Sequence, residues 1–205
     1  MDINNTILQI ILLAPPILLA VTVHEVAHGW VAEKFGDPTA RLAGRLTMNP
    51  FMHLDLMGTL VFVLTRMIGW AKPVPVNPYN MRNPRKDMIW VSLAGVAANL
   101  IVATLSSLVY HGLGAYPAVN AVTLPLMLIA RNSVMINIGL AVFNLVPVPP
   151  LDGSKVLYGL LPSDLAAKYA EVERYGFIIL IILVFTDIIG KILYPVIDFL
   201  ISFLL

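Results

Sequence analysis

The chain has 205 residues, 59% of them hydrophobic and 12% charged, with a mean hydropathy of +0.84. A soluble domain carries about a quarter charged residues, so 13 Lys/Arg and 12 Asp/Glu are too few to cover a water-facing surface, and the composition is that of a membrane protein. The net charge of +1 gives no basis for a nucleic-acid partner, and the absence of cysteine excludes disulfides, thiolate metal sites and a cysteine nucleophile.

In chain order, the first apolar stretch runs from Ile7 to Ala32, with Glu25 its only acidic or basic residue. A spanning helix needs about 20 apolar residues, so this stretch crosses a bilayer with some tilt. Pro15-Pro16 is expected to kink it. No basic n-region precedes it, so it is expected to remain in the mature protein. Residues 35–87 are rich in Pro, Gly and Asn and read as turns and short extended pieces. Within them Leu54 to Trp70 is apolar but short, and holds Asp55, Gly58, Arg66 and Gly69, so it is not expected to span. Met88 to Tyr110 is uncharged and forms a second span. Val122 to Val146, with Arg131 its only charge, forms a third. From Phe177 onward a fourth apolar stretch is interrupted by Asp187, Lys191, Pro195 and Asp198. It reads as one long tilted helix, or as a span followed by a shorter segment, with Asp187 and Lys191 paired at helical spacing. The fold class is therefore an all-α polytopic membrane protein of about four to six transmembrane helices. A re-entrant or surface-lying segment at 35–87, partly β, is expected between the first two spans. Residues 1–205 form one membrane-embedded domain without a soluble accessory domain.

Charge placement orients this arrangement. Lys34, Arg41, Arg45, Lys72, Arg82, Arg85 and Lys86 fall on one side, and the connection from His111 to Ala121 on the other side has no Lys or Arg. The positive-inside rule makes the basic side cytosolic. The first span then runs inward, as does the third, so His24, His28 and Asp152 all lie toward the cytosolic face.

The sharpest motif is His24-Glu25-Val26-Ala27-His28. Residues four apart share a helix face, so both imidazoles can bind one divalent ion, and Glu25 between them is placed to reach a water at the metal. Ionisable residues deep in a bilayer are costly, and a cation is the partner that offsets three of them on one helical turn. Catalytic zinc usually takes three protein ligands. The candidates for the third are His53, His111 and the carboxylates, of which Asp152 is the strongest. It follows Asn144-Leu145-Val146-Pro147-Val148-Pro149-Pro150-Leu151, where prolines end the third span, and irregular backbone at membrane depth is tolerated only in protein or beside a polar cavity. A loop Asp at a helix start is the plainer alternative. His53 and Asp55 read mainly as loop residues held by hydrogen bonds.

The chain resembles the site-2 proteases, membrane-embedded metalloproteases that cleave within or near transmembrane segments of other proteins. The likeness rests on three motifs: His24-Glu25-x-x-His28, Ser92-Leu93-Ala94-Gly95-Val96-Ala97-Ala98-Asn99, and Asn144-x-x-Pro147-x-Pro149-Pro150-Leu151-Asp152-Gly153. Asn49-Pro50, the run from Gly69 to Val76, and Asn83-Pro84 match its short subgroup, which lacks PDZ and CBS modules. Val96 departs from the proline that relatives often carry. The resemblance implies one Zn²⁺ held by His24, His28 and Asp152, with Glu25 as catalytic base. It further implies that Asn144 holds the substrate backbone or stabilises the transition state. Asn99 and Pro147 are further candidate substrate-binding positions. Gly95 with Ala94, Ala97 and Ala98 indicates close helix packing, across which Asn99 can also hydrogen-bond.

The implied activity is zinc-dependent hydrolysis of a transmembrane protein or peptide in the lipid bilayer of the cell membrane. An unwound substrate would pair with an extended edge around Leu42 to Met48 or Val74 to Asn77. The alternatives are a membrane metal transporter and a metal-bound scaffold without catalysis. A Glu wedged between two His serves neither.

Overall fold

The three uncharged or nearly uncharged stretches become three long helices in the computed structural model, which describes residues 3–65, 69–115 and 120–205. Helix α1 spans Ile3–Lys34, continuing through Pro15 and Pro16. After it come a one-turn helix α2 (Thr39–Leu42), a 3-10 turn at Pro50–Met52, and α3 (Leu56–Thr65). A further 3-10 turn at Pro78–Asn80 leads to α4 (Pro84–Gly114), then α5 (Thr123–Asn144). The chain closes with α6 (Asp152–Leu160), α7 (Ser163–Val172), α8 (Gly176–Phe185) and α9 (Ile188–Leu204).

Among the described residues, α1, α4 and α5 are long and apolar enough to cross a membrane, and the α7–α9 region makes a fourth span if its bent pair counts as one. The count therefore sits at the lower edge of the four to six expected. The bend, 73°, falls between Phe185 and Ile188, where Asp187 takes a left-handed conformation with φ 56°. So the last apolar stretch is a broken helix. Asp187 and Lys191 share the backbone bond Lys191 N–H to Asp187 C=O, and no ion pair joins their side chains among the described residues. Helix α3 is 10 residues long, about 15 Å, half a bilayer core, so the described helix within Leu54 to Trp70 is too short to span. Arg66 lies outside the described residues.

Helix α4 is the centre of the fold, packed against α1, α5 and α6. Its inner face buries Val91, Ser92, Gly95, Val96, Asn99 and Ala103. One apolar cluster joins Ala103 to Val134, Ile138 and Val142 of α5, with α9 leaning on it. Another joins Ala32, Val91 and Met81. Small side chains on α4 let the helix axes approach closely.

The segment between α1 and α4 folds back against this bundle. Asn49, Asn77 and Asn83 each precede a proline at the first position of a helical turn. Proline suits that position because its missing N–H is unneeded there. Asn49 and Asn77 accept from the N–H of Phe51 and Tyr79. No strand forms among the described residues: the only pairing is one antiparallel bridge, Leu54 to Ala71. Leu42 ends α2, and the Val74 to Asn77 stretch holds Pro75 and is flanked by Pro73 and Pro78, which remove ladder donors. Those prolines also hold the residues before them extended.

Asp37 pins this segment. It is fully buried and accepts hydrogen bonds from Asn77 N–H at 2.6 Å, Asn80 Nδ2 at 2.8 Å, and both the N–H and hydroxyl of Thr39. Burial pushes its carboxyl up, but the bonds from Thr39, Asn80 and Asn77 outweigh burial and hold it below the usual value of 3.8. A depressed folded-state value means the stabilisation is complete above about pH 4 and is lost as pH falls through that lower value. Asp37→Ala should therefore destabilise the protein by about 1–3 kcal/mol at neutral pH, by leaving the Asn77 N–H and Asn80 amide unpaired. Thermal unfolding in detergent at pH 7 and pH 3 checks this, with the gap between variant and wild type narrowing at pH 3.

Candidate metal centre

His24 and His28 stand one turn apart on α1 and face the first turn of α6. His24 Nε2 lies 3.1 Å and His28 Nε2 3.0 Å from Asp152 Oδ2, and the two Nε2 atoms are 3.0 Å apart. All three side chains are buried. Among the described residues they form the one group of His, Cys, Asp or Glu whose ligand atoms are close enough to share an ion.

Proton positions decide what this triangle requires. His28 Nδ1 lies 2.7 Å from the Val91 carbonyl, which can only accept, so Nδ1 carries the hydrogen. His24 Nδ1 lies 2.6 Å from Asn99 Oδ1. The direction of that amide is assigned from its partners, since Asn99 Nδ2 donates to the Ala20 carbonyl at 3.1 Å. Both neutral rings therefore present a lone pair at Nε2. Asp152 Oδ2, buried and without a hydrogen-bond donor, adds a third. Three lone pairs pointed at one another repel unless a cation lies among them. Zinc bonds of about 2.0–2.2 Å at tetrahedral angles hold ligand atoms about 3.3–3.6 Å apart, within a few tenths of an ångström of the separations seen. The donor set, two imidazoles and a carboxylate with carbonyl or amide oxygens behind the rings, fits zinc.

Each ligand has a local cause. The i, i+4 spacing puts both imidazoles on one face of α1. Room for them comes from Gly95 on α4, where a Cβ would stand 2.6 Å from His28 Nε2 and 2.7 Å from His24 Cε1. The close packing expected at Gly95 is thus packing against the two imidazole rings. Asp152 arrives because α5 stops at Asn144, and the proline-rich turn brings α6 back beside α4. As a first-turn residue, Asp152 places its carboxylate at the positive end of α6, so the helix-start reading and the ligand reading describe one residue. Its Oδ1 takes a hydrogen bond from Lys155 Nζ at 3.3 Å, leaving Oδ2 for the rings. Gly153 sits where a Cβ would collide with the carbonyls of Leu145 and Val146.

A cavity of about 730 Å³ opens onto the triad, with Glu25, Val74, Asn144 and Lys155 on its wall. Glu25 Oε2 accepts a hydrogen bond from Val74 N–H at 2.7 Å. Gly29, one turn beyond Glu25, lets Leu46, Ala40 and Val74 crowd the helix, since a Cβ there would lie 2.7–2.9 Å from all three. Asn144 reaches the cavity while donating to Leu140 C=O of its own helix at 3.0 Å.

Two expected substrate-binding residues lie elsewhere. Asn99 is fully buried behind His24, its amide hydrogens taken by Ala20 C=O and Asn137 Oδ1, so it has no donor left for a substrate. Pro147 lines a separate, apolar cavity against α8 and α9, and its carbonyl accepts from the Tyr169 hydroxyl at 2.9 Å. His53 is buried against Thr47 C=O, Asp55 accepts from Gly58 N–H at the start of α3, and His111 bonds Leu204 C=O. None of these three joins the metal group. Asn137 is the residue sequence reasoning passed over. Its signal was an amide four residues after Ser133 within an otherwise apolar span.

Comparison with known proteins gives the family. The sequence model of Peptidase family M50 matches residues 118–186. The chain is 38% identical over 184 residues to "Putative zinc metalloprotease YwhC" of Bacillus subtilis, covering 89% of this chain and 84% of that one. It belongs to peptidase family M50. As an M50 peptidase it is an integral membrane, zinc-dependent intramembrane protease. Two further relatives are named "Putative zinc metalloprotease Rip2". The one from Mycolicibacterium smegmatis is 28% identical over 85% of this chain and 66% of its own length. The one from Mycobacterium tuberculosis is 28% identical over 81% and 63%. No solved structure matches the chain. The M50 assignment makes metal content the direct check on the triad. Asp152→Ala is expected to lose zinc, while Glu171→Ala and Glu173→Ala, which remove the glutamates after the third span that would be the rival third ligands, retain about one per chain. Elemental analysis of the purified variants measures this.

Proposed function

We propose that His24, His28 and Asp152 hold the catalytic zinc, that Glu25 is the general base, and that the site acts from the cytosolic side of the cell membrane on transmembrane segments of other proteins. The observation that carries this reading is the convergence of three lone pairs on one point, with Glu25 on the same cavity wall. Basic residues crowd the face where α1 ends and α4 begins, which supports the cytosolic placement.

Zinc, when bound, supplies a Lewis acid that polarises the scissile carbonyl and acidifies water. Glu25 takes the proton of the attacking water and returns it to the leaving amine. The Val74 N–H fixes where its carboxylate lies. Asn144 spends one amide hydrogen on Leu140 C=O, and its second donates to the substrate carbonyl as negative charge develops there. A substrate helix has its carbonyls bonded internally, so the segment to be cut must first unwind. The extended run from Lys72 to Asn77 borders the cavity and gives the unwound chain a backbone edge to lie against.

Glu25→Gln removes the base while leaving the ligands. Cleavage of transmembrane peptides by detergent-purified protein should fall by at least about 100-fold, with zinc content unchanged. Equal cleavage by variant and wild type would sink the assignment of Glu25.

A further inference from the structure

We infer that Asn137, on α5, is a positioning residue for the metal centre, acting through Asn99 on the ring of His24. The inference rests on the zinc site proposed above and adds to it a residue that touches neither metal nor substrate.

The relay is a chain of side-chain amides crossing three helices. Asn137 and Asn99 are both fully buried. Asn137 Nδ2 donates to the Ser133 carbonyl at 2.8 Å and to Ser133 Oγ at 3.3 Å. Its Oδ1 accepts from Asn99 Nδ2 at 2.8 Å. Asn99 Nδ2 also donates to the Ala20 carbonyl at 3.1 Å, and Asn99 Oδ1 faces His24 Nδ1 at 2.6 Å.

The direction of the relay is fixed by two carbonyls, those of Ser133 and Ala20. An amide flipped end for end would set its oxygen against a carbonyl, which cannot donate. The Ser133 carbonyl therefore forces the Asn137 NH₂ toward it and the Asn137 oxygen toward Asn99. That oxygen and the Ala20 carbonyl together claim both hydrogens of Asn99. Only the Asn99 oxygen remains for His24, so Nδ1 must donate and Nε2 must carry the lone pair that faces Asp152. Without Asn137, one Asn99 hydrogen loses its partner in a place where no water replaces it. Asn99 is then held against a flip by the Ala20 carbonyl alone, at 3.1 Å, so its oxygen is less firmly kept toward Nδ1 and the tautomer that leaves Nε2 its lone pair is less strongly favoured. Partners one step behind a histidine ligand typically change metal affinity by about 10–100-fold.

The test compares zinc affinity, by competition with a chromophoric chelator, for wild type, Asn137→Leu, Asn137→Asp and Asn132→Leu. Asn132 also makes a side-chain bond between helices, to Leu12 C=O at 3.4 Å, but has no path to His24, so it controls for loss of an interhelical amide. A protonated Asp at 137 keeps the shape, donating to Ser133 and accepting from Asn99. The expected result is an affinity loss of about 10-fold for Asn137→Leu, the lower end of that range because Asn137 acts one step behind Asn99, with Asn137→Asp within about threefold of wild type and Asn132→Leu unchanged. The His24 tautomer, read from ¹⁵N shifts of the imidazole in metal-free protein, should become mixed in Asn137→Leu alone. Wild-type affinity in Asn137→Leu, or an equal loss in Asn132→Leu, overturns the inference while the triad stands. Wild type that binds no zinc overturns both. If the leucine variant does not fold, Asn137→Ala takes its place with the same outcomes.

Discussion

Three lone pairs aimed at a single point inside an apolar bundle are the constraint that the rest of the structure serves. Two imidazoles and a carboxylate repel one another when their acceptor atoms stand 3.0–3.1 Å apart, and their burial weakens the screening of that repulsion. The arrangement is stable only with a cation in it, and it survives assembly only if each group is held from behind. Helix α4 does most of the holding. It contributes the Val91 carbonyl to one ring and the Asn99 oxygen to the other, and at Gly95 it withdraws every side-chain atom from the space the rings occupy. The α5–α6 turn then delivers the anion from the opposite side.

The same demand explains the segment between α1 and α4. The Glu25 carboxylate, one position from His24, needs a fixed place of its own to serve as the proposed base, and Val74 N–H gives it one. Val74 can lie there because Gly29 offers no side chain and because Asp37 anchors Asn77 three residues later. A bare helix, a buried carboxylate and an amide of the backbone thus fix one another's positions. The stretch needs no sheet to stay in place, which is why turn residues and prolines suffice where a strand was expected.

How much of this the sequence disclosed depends on the range of the interaction. Periodicity and charge counts are local, and they located α1, α4 and α5 to within a few residues. The pairing of His24, Glu25 and His28 is also local, since one helical turn fixes it. Asp152 lies far along the chain, but the proline run before it announced a break, and a break at membrane depth implies a polar site. Asn99 carried two readings, a substrate contact and a bond across the helix packing, because a buried amide and a substrate-binding amide look the same in a sequence. Its partners are 75, 79 and 38 residues away. Asn137 was missed for the same reason. The bend at Asp187 was foreseen only as one of two options, because a polar residue within an apolar stretch does not reveal whether the helix tilts or breaks.

The prolines at 73 and 75 have one more consequence. Along extended backbone the amides of alternate residues point to opposite edges, so these two prolines blank the donors of one edge and leave the edge of Val74 and Val76 intact. Of the donors that remain, Val74 N–H is already engaged by Glu25, so the run carries few free backbone donors and offers a poor ladder for strand addition by a second copy. On the proposed reading, a substrate held here chiefly by its backbone would be selected more by how readily a segment unravels than by which residues it carries.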